Sequence, residues 1–214
     1  MRIIYNITGP ERKELCNALG NFLGETPVYQ RAPTYAFKIG EYTVDRNGNV
    51  ECPDADTEEH LNEIVDTLKA ENFQPKEIEL ASLTVSLPRD SFTDDALERL
   101  RILVENKAPL FKRAFRTESL EIDTESEPDK VRFPWFTLHG ADGETFAYTH
   151  FISALGRMAR NQKRVQQKPY EEGNDKFNMR IFMVRLSLIG PKFKEARKII
   201  MRYLTGNSAW KNGH

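Results

Sequence analysis

The sequence has 214 residues, of which 39% are hydrophobic and 29% are charged, and its formal net charge is −1. This composition is typical of a globular protein and excludes a disordered chain. It contains no apolar run of about 20 residues, so a membrane-spanning helix is not expected. The first residues, MRIIYNITGPERK, do not resemble a secretory signal, and two cysteines are too few for a disulfide framework. We therefore expect a cytoplasmic protein.

The charge is distributed unevenly along the chain. Residues 1–150 contain 17 Lys and Arg against 28 Asp and Glu, a net charge of −11. Residues 151–214 contain 14 basic against 4 acidic residues, a net charge of +10. Such a distribution indicates an electrostatic docking surface, or an acidic part that neutralises a basic part within the fold.

The first quarter of the chain predicts a strand followed by a helix. Apolar and polar residues alternate in RIIYNI, as in a half-buried strand. Thr8 and Glu11 have the spacing of a capping box, and apolar residues then recur at helical spacing up to Leu23. Gly24 follows as a stop signal, so we expect a helix between these points.

The next segment predicts a hairpin and a second helix. Residues 35–52, YAFKIGEYTVDRNGNVEC, alternate with period two, and Asn47-Gly48 is typical of a two-residue turn in which both positions have positive φ. Thr57 precedes a second helix, whose expected buried residues are Leu61, Ile64, Val65 and Leu68. Residues 1–78 therefore form an acidic β-α-β-β-α unit, with a boundary expected at residues 75–80.

The second half predicts a mixture of strands and helices. LTVSLPR forms a strand, Thr93 caps a helix that Pro109 interrupts, and a further short helix ends at Phe115. TESEPDK is expected at the tip of a hairpin, and three helices follow Gly143. The predicted class is α+β, with a region of residues 79–214 that has a basic helical carboxyl terminus. The two regions either fold as separate domains or pack as one.

Two further apolar patterns belong to this second half. FPWF, residues 133–136, is expected to belong to the core, although three aromatic rings also suit a platform for nucleic-acid bases or a partner. In the second carboxyl-terminal helix the expected buried stripe consists of Phe177, Ile181, Val184 and Leu188.

The sequence contains no recognised catalytic or phosphate-binding motif. GxSxG, GxxxxGK[ST] and GxGxxG patterns are absent, and the four histidines and two cysteines lack metal-ligand spacing. We therefore expect no metal and no cofactor. One cluster leaves an enzyme as an alternative, because HGADGE groups titratable side chains before a helix that contains a further histidine. The residues of this alternative site are His139, Asp142, Glu144 and His150.

The strongest candidate for a functional surface is basic. The twelve residues RMARNQKRVQQK, 157–168, include five basic side chains. On a helix expected over 146–165, Ser153, Arg157, Arg160 and Arg164 share one face, and the basic residues of the last helix are spaced by four. Such edges suit a phosphate backbone, although pairing with the acidic part of the chain is an equal alternative. The predicted nucleic-acid-binding residues are Arg157, Arg160, Lys163, Arg164 and Lys168, with Lys194, Lys198 and Arg202 as secondary candidates.

Long phrases of the chain resemble a known family. RIIYNITGPERKEL, APTYAFKIGEYTVDRNGNV and the carboxyl-terminal residues from FPWF onward resemble small "virulence-related" proteins carried on conjugative elements and phages of gut Firmicutes. YNITGPERK and APTYAF are also similar to anti-CRISPR inhibitors of Cas9-type nucleases. The resemblance brings no catalytic residues; it implies a mobile-element protein that regulates transfer or disarms host defence.

Three hypotheses therefore follow from the sequence. The first is a non-enzymatic protein that binds DNA or RNA, or a host nucleoprotein such as a CRISPR nuclease, whose positively charged channels would accept an acidic surface. The second is a protein-binding module or homodimer that uses FPWF and the helical tail. The third is an enzyme centred on the HGADGE cluster.

Overall fold

The structure is a computed structural model, and it describes residues 1–53, 56–168 and 170–209. The chain divides into two compact units. Unit 1 comprises Met1–Ala81 and His139–Ala141, and unit 2 comprises Ser82–Leu138 and the described residues after Ala141. Each unit combines helices with antiparallel strands, which confirms the predicted α+β class. No helix among these residues has the length and apolar character needed to cross a membrane.

Unit 1 is a six-stranded antiparallel sheet with two helices. Its elements are β1 (Arg2–Ile4), α1 (Pro10–Leu23), β2 (Val28–Tyr29), β3 (Phe37–Ile39), β4 (Tyr42–Val44), β5 (Val50–Glu51), α2 (Glu58–Ala70) and β6 (Glu77–Glu79). The strands lie in the order β2-β3-β4-β5-β1-β6, and Ile3 of β1 is opposite both Val50 of β5 and Ile78 of β6. The predicted β-α-β-β-α elements are present as β1, α1, β4, β5 and α2, with three additional strands, β2, β3 and β6. Segment 75–80, the predicted boundary, contains the edge strand β6.

The two helices of unit 1 begin in different ways. The Thr57 side chain accepts a hydrogen bond from the backbone N–H of His60 at 3.2 Å, so α2 has the predicted cap. The capping box predicted at Thr8 was wrong, because α1 starts after Gly9, which turns the chain at φ 68°, and no side chain caps it. The predicted end of α1 is confirmed, since Gly24 adopts the left-handed conformation there. The predicted stripe of α2 is buried: Leu61, Ile64, Val65 and Leu68.

The hairpin between β4 and β5 was predicted, but its turn differs. Val44 lies opposite Val50, and the connection is the longer loop Asp45–Asn49. Only Gly48 has a positive φ, of 77°, within this loop. The Asp45 carboxylate accepts hydrogen bonds from the backbone N–H groups of Asn47 at 2.8 Å and Asn49 at 2.9 Å. These bonds hold the longer loop in place of the expected two-residue turn.

Unit 2 packs five helices with a two-stranded sheet. Its elements are β7 (Ala81–Pro88, with Ala81 assigned to unit 1), α3 (Asp94–Glu105), α4 (Ala108–Phe115), β8 (Lys130–Leu138), α5 (Glu144–Asn161), α6 (Asp175–Arg185) and α7 (Lys194–Met201). Thr93 caps α3 as predicted, since its side chain accepts a hydrogen bond from Ala96 N–H at 3.2 Å. The predicted series of three carboxyl-terminal helices is present as α5, α6 and α7.

The core of unit 2 is rich in aromatic rings. Phe133, Trp135 and Phe136 of the FPWF segment are at most 2% exposed. The ring of Phe136 stacks on Tyr148 at a centroid distance of 4.4 Å, and Trp135 Nε1 donates a hydrogen bond to the Glu121 carbonyl at 2.6 Å. The interpretation of FPWF as core is confirmed. These three rings do not form an exposed platform.

Two helical details differ from the prediction. Helix α5 ends at Asn161 rather than 165, because Gln162 adopts an extended conformation with ψ 133°. In α6 the predicted buried stripe was wrong for Ile181 and Val184, which are 41% and 48% exposed, whereas the buried apolar residues of the helix are Met179, Phe182 and Met183. The burial predicted for Leu188, just after the helix, is confirmed. Apolar residues lie on both sides of this helix, so their spacing alone does not select the buried face.

Candidate nucleic-acid interface

The two units have net charges of opposite sign. Unit 1 spans 8 Lys and Arg against 15 Asp and Glu, a net charge of −7. Unit 2 spans 23 basic against 17 acidic residues, a net charge of +6. A partner that is attracted electrostatically therefore meets a different sign on each unit.

Unit 2 contains a cleft with a cationic lining. Its volume is about 620 Å³, and its walls come from the end of α3, the segment 162–174 and α6. Four basic side chains line it, Lys107, Arg164, Lys168 and Arg185, together with two acidic ones, Glu171 and Glu172, so the lining has a net positive charge. The structure thus brings two of the predicted residues, Arg164 and Lys168, together with two that sequence analysis missed.

The four cations differ in how far the fold neutralises them. Arg164 and Arg185 are exposed, and neither has a hydrogen-bond or ion-pair partner in the described part of the chain. Lys168 is also exposed, and its Nζ lies 2.9 Å from a carboxylate oxygen of Glu171. Two guanidinium groups of the cleft therefore remain available to an anionic ligand.

Lys107 is the most enclosed of the four. Its Nζ lies 5.4 Å from the centroid of the Tyr170 ring. Partial burial, followed by the positive charges of Arg185 and Lys168, lowers the pKa of the Lys107 ammonium below its usual range. The positive charges of Arg185 and Lys168 thus add to the effect of burial at Lys107, and an anion bound beside Lys107 would favour its charged form.

Asn106 attaches the segment 162–174 to the end of α3. Its side-chain amide donates to the Gln166 carbonyl at 2.8 Å, and its side-chain oxygen accepts from the Lys168 backbone N–H at 2.7 Å. Residues 162–168 have no regular secondary structure, so these bonds fix their backbone in place of a helix or a strand. Arg164 and Lys168 are thereby placed opposite α6.

Asp175 holds the other end of the segment. This carboxylate is 5% exposed, and it accepts hydrogen bonds from Arg113 Nε at 2.6 Å and from another guanidinium nitrogen of Arg113 at 3.0 Å. It also accepts a hydrogen bond from the Tyr170 hydroxyl at 2.7 Å. Asn178 donates to the same hydroxyl at 2.9 Å. This network anchors the Tyr170 ring as a wall of the cleft.

The predicted basic edge of α5 ends earlier than expected. Arg157 and Arg160 lie on α5, but Lys163, Arg164 and Lys168 follow its end. Arg157 donates to the Leu186 carbonyl at 3.4 Å, and the Arg160 guanidinium lies 5.0 Å from the centroid of the Phe92 ring. The prediction of one continuous helical face through Arg164 was therefore wrong, because the backbone becomes extended at residue 162.

The secondary candidates on and after α7 have different surroundings. Lys194 is exposed, and the Lys198 Nζ lies 3.1 Å from a carboxylate oxygen of Glu195. Arg202 was a poor candidate for phosphate, because it pairs with the Glu144 carboxylate, which is 2% exposed, and also contacts the Tyr148 hydroxyl at 3.1 Å. Its charge is used within the fold of unit 2.

The residues of the enzyme alternative have separate partners. In unit 1, His139 Nδ1 lies 2.8 Å from a Glu58 carboxylate oxygen. In unit 2, Glu144 pairs with Arg202, and His150 packs against the rings of Phe146 and Phe193 at centroid distances of 4.1 and 5.3 Å. Asp142 is exposed.

Comparison with protein-family models, curated proteins and solved structures finds no match for this chain. The class of this protein is therefore defined by its own fold and by the cleft. The chain is an α+β protein of two units with opposite net charge, and its basic unit contains a cationic cleft.

Proposed function

We propose that this protein binds nucleic acid, free or within a nucleoprotein, through phosphate contacts at the cleft of unit 2, without catalysing a reaction. The observation that carries the proposal is the convergence of four cations on the cleft, of which Arg164 and Arg185 have no acidic partner in the described chain. Lysine and arginine that replace phosphate counterions provide most of the affinity in such binding.

Amide side chains support the same proposal. Gln162 and Gln166 line the cleft together with the cations. Neutral donors of this kind accompany Lys and Arg where proteins contact phosphate and sugar oxygens. The resemblance to mobile-element and anti-CRISPR proteins supports a host nucleoprotein, such as a CRISPR nuclease, as the biological partner in the cytoplasm.

A second candidate function is protein binding, including self-association to a homodimer. One observation favours it: Ile181, Val184 and Ile189, on and just after α6, are 41%, 48% and 56% exposed. Exposed apolar residues that lie together are typical of protein interfaces. A stable dimer in light scattering, with no nucleic-acid binding at low salt, would favour this function instead.

The test compares two variants with the same change in net charge. The cleft variant replaces Arg164, Lys168 and Arg185, the three exposed cations of the cleft, by Gln. The control variant replaces Lys13, Arg31 and Arg46, three exposed cations of unit 1, by Gln. Binding to labelled DNA and RNA is measured by fluorescence anisotropy at low salt. We expect the cleft variant to lose affinity by about tenfold or more, because it removes several phosphate contacts.

The control separates a local effect from a general one. We expect the unit 1 variant to keep affinity within about threefold of the unsubstituted protein, because its lost charges lie outside the cleft. Equal losses in both variants, or no loss in either, would contradict the proposal.

A further inference from the structure

The cleft also indicates which form of nucleic acid it receives, an inference that rests on the proposed function. The residues that line the cleft are charged and exposed at the rim and more apolar and more buried in the interior. Arg164, Arg185 and Lys168 are exposed and outnumber the exposed carboxylates of Glu171 and Glu172, whereas the Tyr170 ring and the Val165 side chain of the same lining are half-buried. A ligand that fills the cleft therefore presents negative charge at the rim and a flat or apolar surface in the interior.

A duplex does not have this distribution of chemistry. Its phosphates lie outside, its bases are paired and stacked, and proteins read it with elements that protrude into a groove. A concave site would meet only its backbone, and the apolar interior would stay uncovered. An unpaired nucleotide has a phosphate at one end and an exposed base at the other, which matches the rim and the interior together.

The size of the cleft agrees with this ligand. About 620 Å³ lies within the range of about 300–1,000 Å³ in which proteins enclose small ligands. The polar amides of Gln162 and Asn178 lie in the same lining and supply donors and acceptors for a base edge.

We propose that the cleft of unit 2 is a binding site for an unpaired nucleotide of single-stranded nucleic acid, with phosphates on Arg164, Arg185 and Lys107 and the base against the Tyr170 ring. The rim cations attract the strand, and the interior excludes a duplex. A free nucleotide shares this chemistry, but it has fewer phosphates to reach the separate rim cations.

The experiment uses the full chain and three probes. These are a labelled strand of about 12 nucleotides of mixed sequence, the same strand annealed to its complement, and a nucleoside monophosphate as competitor. We expect the single strand to bind about tenfold or more tightly than the duplex, and the monophosphate to compete far more weakly than an unlabelled strand.

A double variant locates the site. Arg164→Gln/Arg185→Gln alters two exposed side chains without partners in the described chain, so the fold is not disturbed, and thermal unfolding checks this. The matched control is Arg101→Gln/Lys112→Gln, two exposed cations of unit 2 outside the cleft lining. The double variant is expected to bind the single strand about tenfold more weakly. The slope of the logarithm of its association constant against the logarithm of salt should be less steep by about 1.4, which is about 0.7 for each lost phosphate contact.

The outcomes separate this inference from the proposed function. Binding of the duplex as tightly as the strand would overturn the inference and leave the function intact. An equal loss in the control variant, or a monophosphate that competes as well as the strand, would also overturn it. Absence of binding to any probe would refute both.

Discussion

Replacement of Asp175 by Ala tests whether the cleft wall is held as described. Asp175 is the first residue of α6, and its carboxylate receives two hydrogen bonds from Arg113 and one from Tyr170. The substitution removes all three acceptor contacts at once. It leaves Arg113 and the Tyr170 hydroxyl without this partner, and the segment before α6 loses its anchor.

The expected cost follows from the exposure of the two partners. Removal of one partner from a buried ion pair costs about 3–5 kcal/mol. Here the Asp175 side chain is 7% exposed but that of Arg113 is 41% exposed, so water solvates much of the remaining guanidinium. We therefore expect the free energy of unfolding to fall by about 2–3 kcal/mol, which is less than the loss for a fully buried pair.

Urea unfolding, followed by far-ultraviolet circular dichroism, measures this loss. If the free energy of unfolding depends on urea with a slope of about 2 kcal/mol/M, this loss lowers the urea midpoint by about 1 M. The control is Glu172→Ala, because this side chain is 80% exposed and lies 3.6 Å from an Arg113 nitrogen, for which we expect less than about 0.5 kcal/mol. If Asp175→Ala cost no more than this control, the assigned anchor would be refuted.

Three further predictions concern other parts of the chain. Burial raises the pKa of the Cys16 thiol to about 11 and that of the Cys52 thiol to about 12. In the folded protein at pH 8, both thiols should therefore react with a thiol reagent at least about a hundredfold more slowly than in denaturant. Comparable rates in the folded and denatured states would contradict this. Gly48→Ala should lower the free energy of unfolding by more than about 2 kcal/mol, and Gly24→Ala should lower it by about 1 kcal/mol. Both glycines have a positive φ, but only at Gly48 would the added Cβ meet the Ile7 backbone. Equal melting temperatures of the two variants would count against this reasoning. Partial burial, followed by the positive charges of Lys192 and Arg157, lowers the pKa of His150 below 6.5. The neutral histidine therefore contributes fully to the stability of the fold above pH 6.5, and this contribution is lost as the pH falls toward the pKa of the folded state. An NMR titration midpoint of His150 at or above 6.5 would disprove this.

Local signals in the sequence predicted much of the fold. The stripe of α2, the Thr93 cap of α3, the stop at Gly24 and the burial of FPWF each depend on a few adjacent residues. Such features are determined within one or two helical turns or within one strand, so a pattern in the sequence is enough to indicate them.

The cleft could be predicted only in part. Arg164 and Lys168 belong to a conspicuous basic run, but Lys107 and Arg185 are distant in sequence and meet them only through packing in unit 2. The end of α5 at Asn161 has no glycine or proline to mark it, and the Asn106 hydrogen bonds that hold the next segment are long-range. Tertiary contacts therefore decide both the end of the helix and the membership of the site.

Salt dependence of nucleic-acid binding tests the central claim most directly. The association constant of the unsubstituted protein for a single strand is measured between about 50 and 200 mM monovalent salt. With three or four phosphate contacts at the cleft, we expect the logarithm of the constant to fall against the logarithm of salt with a slope of about −2 to −3. Binding that does not change with salt, or no binding at the lowest salt, would contradict the account.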